Sequence, residues 1–108
     1  DFTYIDNVIQ ANLLSLVTTN EKAINTVYNV AYGDRNTLND LMIYLKEYLS
    51  EFDAEISSVE VIYGPNRVGD VPHSHASVNK AKELLNYNPQ FSLQKGLKEA
   101  VSWYWKNL

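Results

Sequence analysis

From Ile5 onward the apolar residues Ile5, Val8, Ile9, Leu13, Leu16 and Val17 recur at the three- and four-residue spacing of a helix. The pattern fades at Thr18-Thr19-Asn20. Thr26-Val27-Tyr28-Asn29-Val30-Ala31 then reads as a short buried strand, ended by a turn at Gly33. Thr37 is followed three residues later by Asp40, a capping box with Asp in place of Glu or Gln. It predicts a helix from Leu38 to Glu51, with Leu38, Leu41, Leu45 and Leu49 along one face. Phe52 to Ser58 is acidic and polar and is expected to be a mobile connection. Val59-Glu60-Val61-Ile62-Tyr63 is a second strand candidate. Ser77 is placed to cap a short helix through Leu85, Asn86-Tyr87-Asn88-Pro89 is a turn, and Ser92 is placed to cap a last helix from Leu93 to Asn107. On that helix Leu97, Val101 and Tyr104 have core-face spacing, with Ala100 beside them. Tyr104 is expected to pack inward while Trp103 and Trp105 cover a domain edge.

This is about four helices and two or three short strands, an α/β set, locally α+β. The strands are few and scattered. They are expected to complete a sheet supplied by another segment. Residues 1–108 form one segment with no internal repeat, low-complexity tract or interdomain linker. The chain begins at Asp1 and its only Met is Met42, so it reads as part of something longer.

Charge and composition remove several classes. A net charge of −4 argues against a nucleic-acid partner, whose footprint is basic. With no Cys, neither a disulfide frame nor a zinc–thiolate site is available. No apolar run approaches the roughly 18 residues of a membrane span, and no signal peptide opens the chain.

The stretch Asn66-Arg67-Val68-Gly69-Asp70-Val71-Pro72-His73-Ser74-His75 gathers the most chemistry. The Arg67 guanidinium can donate paired hydrogen bonds to a phosphate, or be a solvated loop residue. Asp70 follows Gly69 and can accept from two ribose hydroxyls, or be a turn residue. His73 and His75 are spaced to share one face of an extended strand, as a metal site uses, but no acidic group at ligand spacing accompanies them, and no metal is assigned. Ser74 lies outside any G-x-S-x-G elbow, so it is not assigned as a nucleophile. The four glycines, 33, 64, 69 and 96, form no G-x-G-x-x-G, and no Tyr is followed four positions later by Lys. No catalytic residue is assigned.

Five stretches resemble, in order, the extended short-chain dehydrogenase/reductases. Asp1-Phe2-Thr3-Tyr4-Ile5-Asp6-Asn7-Val8 is similar to their "DFxYVDDV" segment and Tyr28-Asn29-Val30-Ala31-Tyr32-Gly33 to "YNVGxG". Arg67-Val68-Gly69-Asp70-Val71 resembles "RPGDV", and Ala76-Ser77-Val78-Asn79-Lys80-Ala81 resembles "ADxSKA". Asn86-Tyr87-Asn88-Pro89, Gly96-Leu97 and Trp103-Tyr104 resemble the closing "LGYxPxxxLxxGLxxxxxWY". Val68, Pro72, Ser77 and Asn79 depart from the pattern. Within the family the chain looks like nucleotide-sugar 4-epimerases acting on UDP-N-acetylhexosamines in surface polysaccharide synthesis.

The resemblance implies the C-terminal, substrate-binding part of a Rossmann-type two-domain enzyme. An N-terminal cofactor domain would hold NAD, which this chain alone would not bind. It implies that Arg67 contacts the nucleotide diphosphate, Asp70 the ribose, and Arg35 the nucleotide end. Ser74, with His73 beside it, would wall the sugar pocket. A small residue there leaves room for an acetamido group. A UDP-sugar substrate, a cytoplasmic setting, no membrane and self-association of the separated chain complete the expectations. A 4,6-dehydratase or decarboxylase, or a non-catalytic α+β interaction module, are the alternatives.

Overall fold

The computed structural model describes residues 1–69 and 73–108. Four α-helices carry it: α1 (Ile5–Val17), α2 (Leu38–Ser50), α3 (Asn79–Leu85) and α4 (Leu93–Asn107), with short 3-10 helices at Glu21–Ala23 and Ala54–Ser58.

Local chemistry sets the helix ends. In α2 the Thr37 hydroxyl accepts from Asp40 N at 3.0 Å, and the Asp40 carboxylate accepts from Thr37 N at 2.7 Å. This is the expected capping box. In α4 the Ser92 hydroxyl accepts from Lys95 N at 3.3 Å, again as expected. The α3 start differs. Its cap is Val78, without a side-chain bond, and Ser77 instead offers its carbonyl to Asn29 Nδ2 at 3.3 Å. Asn86 closes α3 in the left-handed region, φ 57°, and Tyr87 N reaches back to Ala81 O at 3.2 Å. Asn substitutes there for the usual Gly.

The expected α/β class is overturned. No described residue lies in a strand, and the described part of the chain is all-α. A strand needs a ladder partner for its main-chain groups, and here side chains take that role. Lys80 Nζ donates to Val27 O at 2.9 Å and Tyr87 Oη to Ala31 O at 2.8 Å. In the 59–63 run, Lys46 Nζ donates to Val59 O at 2.7 Å, and Ile62 is left 93% exposed. The 52–58 stretch, expected from its composition to be a mobile connection, has secondary structure. It holds an ordered 3-10 helix capped by Asp53, whose carboxylate accepts from Glu55 N at 3.0 Å.

The core is small. Ala11, Ala31, Val78, Ala81 and Tyr87 cluster, with Leu14, Tyr28, Val30 and Ala76 packed around them. The buried side of α1 is Asn7 and Ala11, whereas Ile5, Ile9, Leu13 and Leu16 face outward. Tyr104 does not pack inward. It is 56% exposed, and the better-covered ring is Trp105, stacked on Phe52 at 5.2 Å. The described residues spread over 53 × 34 × 19 Å with a radius of gyration of 17.0 Å. A closed domain of this length has about 13 Å. A flat body leaves apolar side chains outside because there is too little interior to take them.

Candidate functional site

A broad groove of about 1050 Å³ runs between three stretches of chain. Asp1 and Phe2 line it from the N-terminal segment, residues 35–39 from the approach to α2, and Asn66, Arg67, His73 and Ser74 from the loop singled out in the sequence. Its volume lies just above the about 300–1,000 Å³ span of small-molecule sites.

Each wall has a local cause. Gly33 turns the chain with φ +90°, a conformation L side chains rarely adopt. Asp34 Oδ1 then accepts from Arg35 N at 2.8 Å, and the capping box of α2 fixes Thr37. Arg35 is therefore strung between a glycine turn and a helix cap. On the far wall, Tyr63 Oη donates to Asn39 Oδ1 at 3.3 Å and ties the run before Arg67 to α2. His73 and Ser74 follow on the same loop.

Four of the five candidate substrate residues, Arg35, Arg67, His73 and Ser74, line this one groove. Asp70 lies outside the described residues, as do Val71 and Pro72. The side chains of the four are exposed. Two guanidinium groups and the half-buried Asp1 carboxylate bring charges of both signs to the groove. One oxygen of that carboxylate, Oδ1, is buried and accepts from no described residue. The two histidines do not act as a pair: His73 lines the groove, while His75 Nε2 stands 3.1 Å from Gly33 O. Among the described residues no three His, Cys, Asp or Glu come together as a metal site, and no helix is long and apolar enough to cross a membrane.

A second, apolar slot of about 200 Å³ lies between Phe2, Tyr4, Leu41, Leu93 and Leu97. It floors the N-terminal segment rather than offering polar chemistry. Burial pushes the Tyr4 phenol up, with Asp6 and Glu99 adding to the shift, so Tyr4 stays neutral there.

No family model matches the chain. Individual proteins do, over nearly all of it. It is 31% identical over 115 residues to UDP-glucuronate 4-epimerase 4 of Arabidopsis thaliana, covering 96% of this chain and 25% of the relative. It is 29% identical over 110 residues to a UDP-glucuronate 4-epimerase of Thermodesulfobacterium geofontis, covering 100% and 31%. It is 25% identical over 105 residues to a UDP-N-acetyl-alpha-D-glucosaminuronate decarboxylase of Bacillus cytotoxicus, covering 95% and 31%. The chain belongs to the nucleotide-sugar epimerase and decarboxylase family. It spans a quarter to a third of the curated relatives it matches.

The family resemblance implies NAD. The described residues of this family member do not fit it. A dinucleotide pyrophosphate sits on a glycine-rich turn that opens a helix. Here Tyr4, Thr37, Val78 and Ser92 precede the four helices, and Gly96 lies inside α4. The sequence reading missed two residues of this family segment. Asp1 enters the groove wall, and Asn7, at 1% exposure, clamps the loop after α3. Asn7 lies opposite the helix face that the apolar pattern marks, so periodicity pointed away from it. Nothing in the pattern marked Asp1 either.

Proposed function

We propose that this chain is the substrate-binding part of a UDP-sugar 4-epimerase, with the groove as its nucleotide-sugar site. The observation that carries the reading is the meeting of Arg35, Arg67, His73 and Ser74, the first distant in sequence from the others, in one groove. UDP is common to the names of the three relatives, of which two name glucuronate and the third an N-acetylglucosaminuronate. Arg67 and Arg35 grip the diphosphate through charge-assisted hydrogen bonds. Asp70 takes the ribose hydroxyls. Ser74 and His73 face the sugar, and the small Ser74 leaves room for an acetamido group, which favours UDP-N-acetylhexosamines and a role in surface polysaccharide synthesis in the cytoplasm. NAD and the reacting groups belong to the rest of the enzyme, which also covers the apolar side of α1. The chain alone binds the nucleotide and turns nothing over.

The decarboxylase relative supports a second reading, in which the same groove serves UDP-sugar decarboxylation. The nucleotide end is then unchanged and only the reaction differs.

The deciding experiment is titration of the 108-residue chain with UDP, followed by calorimetry and by amide shifts. Arg67→Ala should weaken binding roughly 10- to 150-fold, the equivalent of a lost charged hydrogen bond of about 1.5–3 kcal/mol. An affinity unchanged by Arg67→Ala removes the diphosphate grip.

A further inference from the structure

Beside the groove, hydrogen bonds join two walls that the chain itself does not connect. The main-chain nitrogen of Asp1 donates to Ser74 O. Gly33 N donates to Asp1 Oδ2 at 3.2 Å. His75 Nε2 stands 3.1 Å from Gly33 O, and because a carbonyl can only accept, His75 is the donor. The three bonds close a ring through Gly33, Asp1, Ser74 and His75. Both main-chain groups of Gly33 are held in it.

The ring is placed where it matters for the groove. Gly33 lies two residues before Arg35, and Ser74 follows His73, so the ring spans the two walls at their candidate contacts. Thr37 and Asp40 fix the chain on the other side of Arg35. Asp1 lines the groove, whereas His75 does not and acts only through the Gly33 carbonyl. All three bonds are exposed. Exposed bonds of this kind add little to global stability. Their consequence is the distance between the walls.

We propose that Asp1 and His75 are positioning residues, which hold Arg35 and the His73–Ser74 wall at the separation that a nucleotide-sugar needs. The proposal rests on the nucleotide reading above. It goes further in assigning a role to two residues that the family resemblance leaves without one.

The test uses Asp1→Ala, His75→Ala and His75→Gln in the 108-residue chain, with UDP as the probe. Asp1→Ala keeps the main-chain donor and removes only the carboxylate. His75→Gln keeps an N–H donor that can reach Gly33 O. In the ligand-free chain, Gly33 amide exchange and proton–proton contacts between residues 33–35 and 73–75 report whether the walls are joined. The two Ala variants should speed the exchange and lose the contacts. They should also weaken UDP binding about fivefold each, with thermal unfolding unmoved, and Gln should restore both. Walls that stay joined in the Ala variants overturn the proposal, as does an unchanged UDP affinity after they part. A wild-type chain with joined walls and no affinity for UDP overturns the nucleotide reading itself.

Discussion

Asn7 and Phe91 are joined through both main-chain groups of Phe91. Asn7 Nδ2 donates to Phe91 O at 2.8 Å, and Asn7 Oδ1 accepts from Phe91 N at 3.1 Å and from Gln90 N at 3.0 Å. Both polar atoms of the side chain thereby bond the loop between α3 and α4, and neither is buried without a partner. Gln10, one turn on, repeats the arrangement in the open, accepting from Asn88 N at 2.7 Å and donating to Asn88 O at 2.9 Å.

Asn7→Ala strips the loop of three hydrogen bonds in a buried setting. The expected loss is about 3 kcal/mol, as buried groups left unpaired cost about 1–3 kcal/mol each. Gln10→Ala, at an exposed site, should cost less than about 1 kcal/mol. Urea unfolding of both variants measures the contrast, and equal losses would deny the clamp its special weight.

Gly96 makes room for Tyr4. A Cβ at that position would stand 2.5 Å from Tyr4 Cβ and 2.7 Å from its Cγ, far inside contact distance. Ala would gain about 1 kcal/mol of helix propensity over Gly, but overpacking costs about 1–3 kcal/mol. The near-rigid root of the Tyr4 side chain puts the cost at the upper end. Gly96→Ala should therefore lower the melting temperature and disturb the Tyr4–Phe91 ring contact, now at 4.9 Å. In Tyr4→Ala the same substitution should be neutral or stabilising. A penalty that persists without the ring would place the strain elsewhere.

Much of this architecture was legible before the structure. The α1 and α2 starts and the Thr37 and Ser92 caps follow from periodicity and from side chains that bond their own backbone. The strands were misread because 26–31 and 59–63 have strand composition, and composition is silent about whether a ladder partner exists. Lys80, Tyr87 and Lys46 satisfy those carbonyls instead. Ser77 was misread because a capping residue is defined by where the helix starts, and α3 starts later. In the groove, Arg35, Arg67, His73 and Ser74 carried visible chemistry. Asp1 did not, since its position depends on contacts with Gly33 and Ser74, far away in sequence.

The α2 capping box should make the start of that helix acid-sensitive. The Thr37 backbone N–H, then its hydroxyl, hold the Asp40 carboxyl below its ordinary value. With the folded value depressed, the stabilisation is present above the unfolded pKa and lost as pH falls through the folded one. Amide exchange at Asp40 and Leu41 should rise below the usual carboxylate range. Asp40→Asn should flatten that dependence. An unchanged acid limb in the variant would assign it to another carboxylate.

Along α1 the outward residues Ile5, Ile9, Leu13 and Leu16 stand four, four and three positions apart, so they form one ridge. Leu16 is 81% exposed. A continuous apolar ridge of this kind marks a surface that seeks cover. In the reading proposed above, the rest of the enzyme supplies it. In a solution of the 108-residue chain alone, a second copy is the available substitute, ridge against ridge. Sedimentation should then show mass rising with concentration. The double variant Leu13→Glu, Leu16→Glu should sediment as a monomer without losing helix content, because neither side chain is in the core. A wild-type chain that stays monomeric at high concentration would show that the ridge does not drive association.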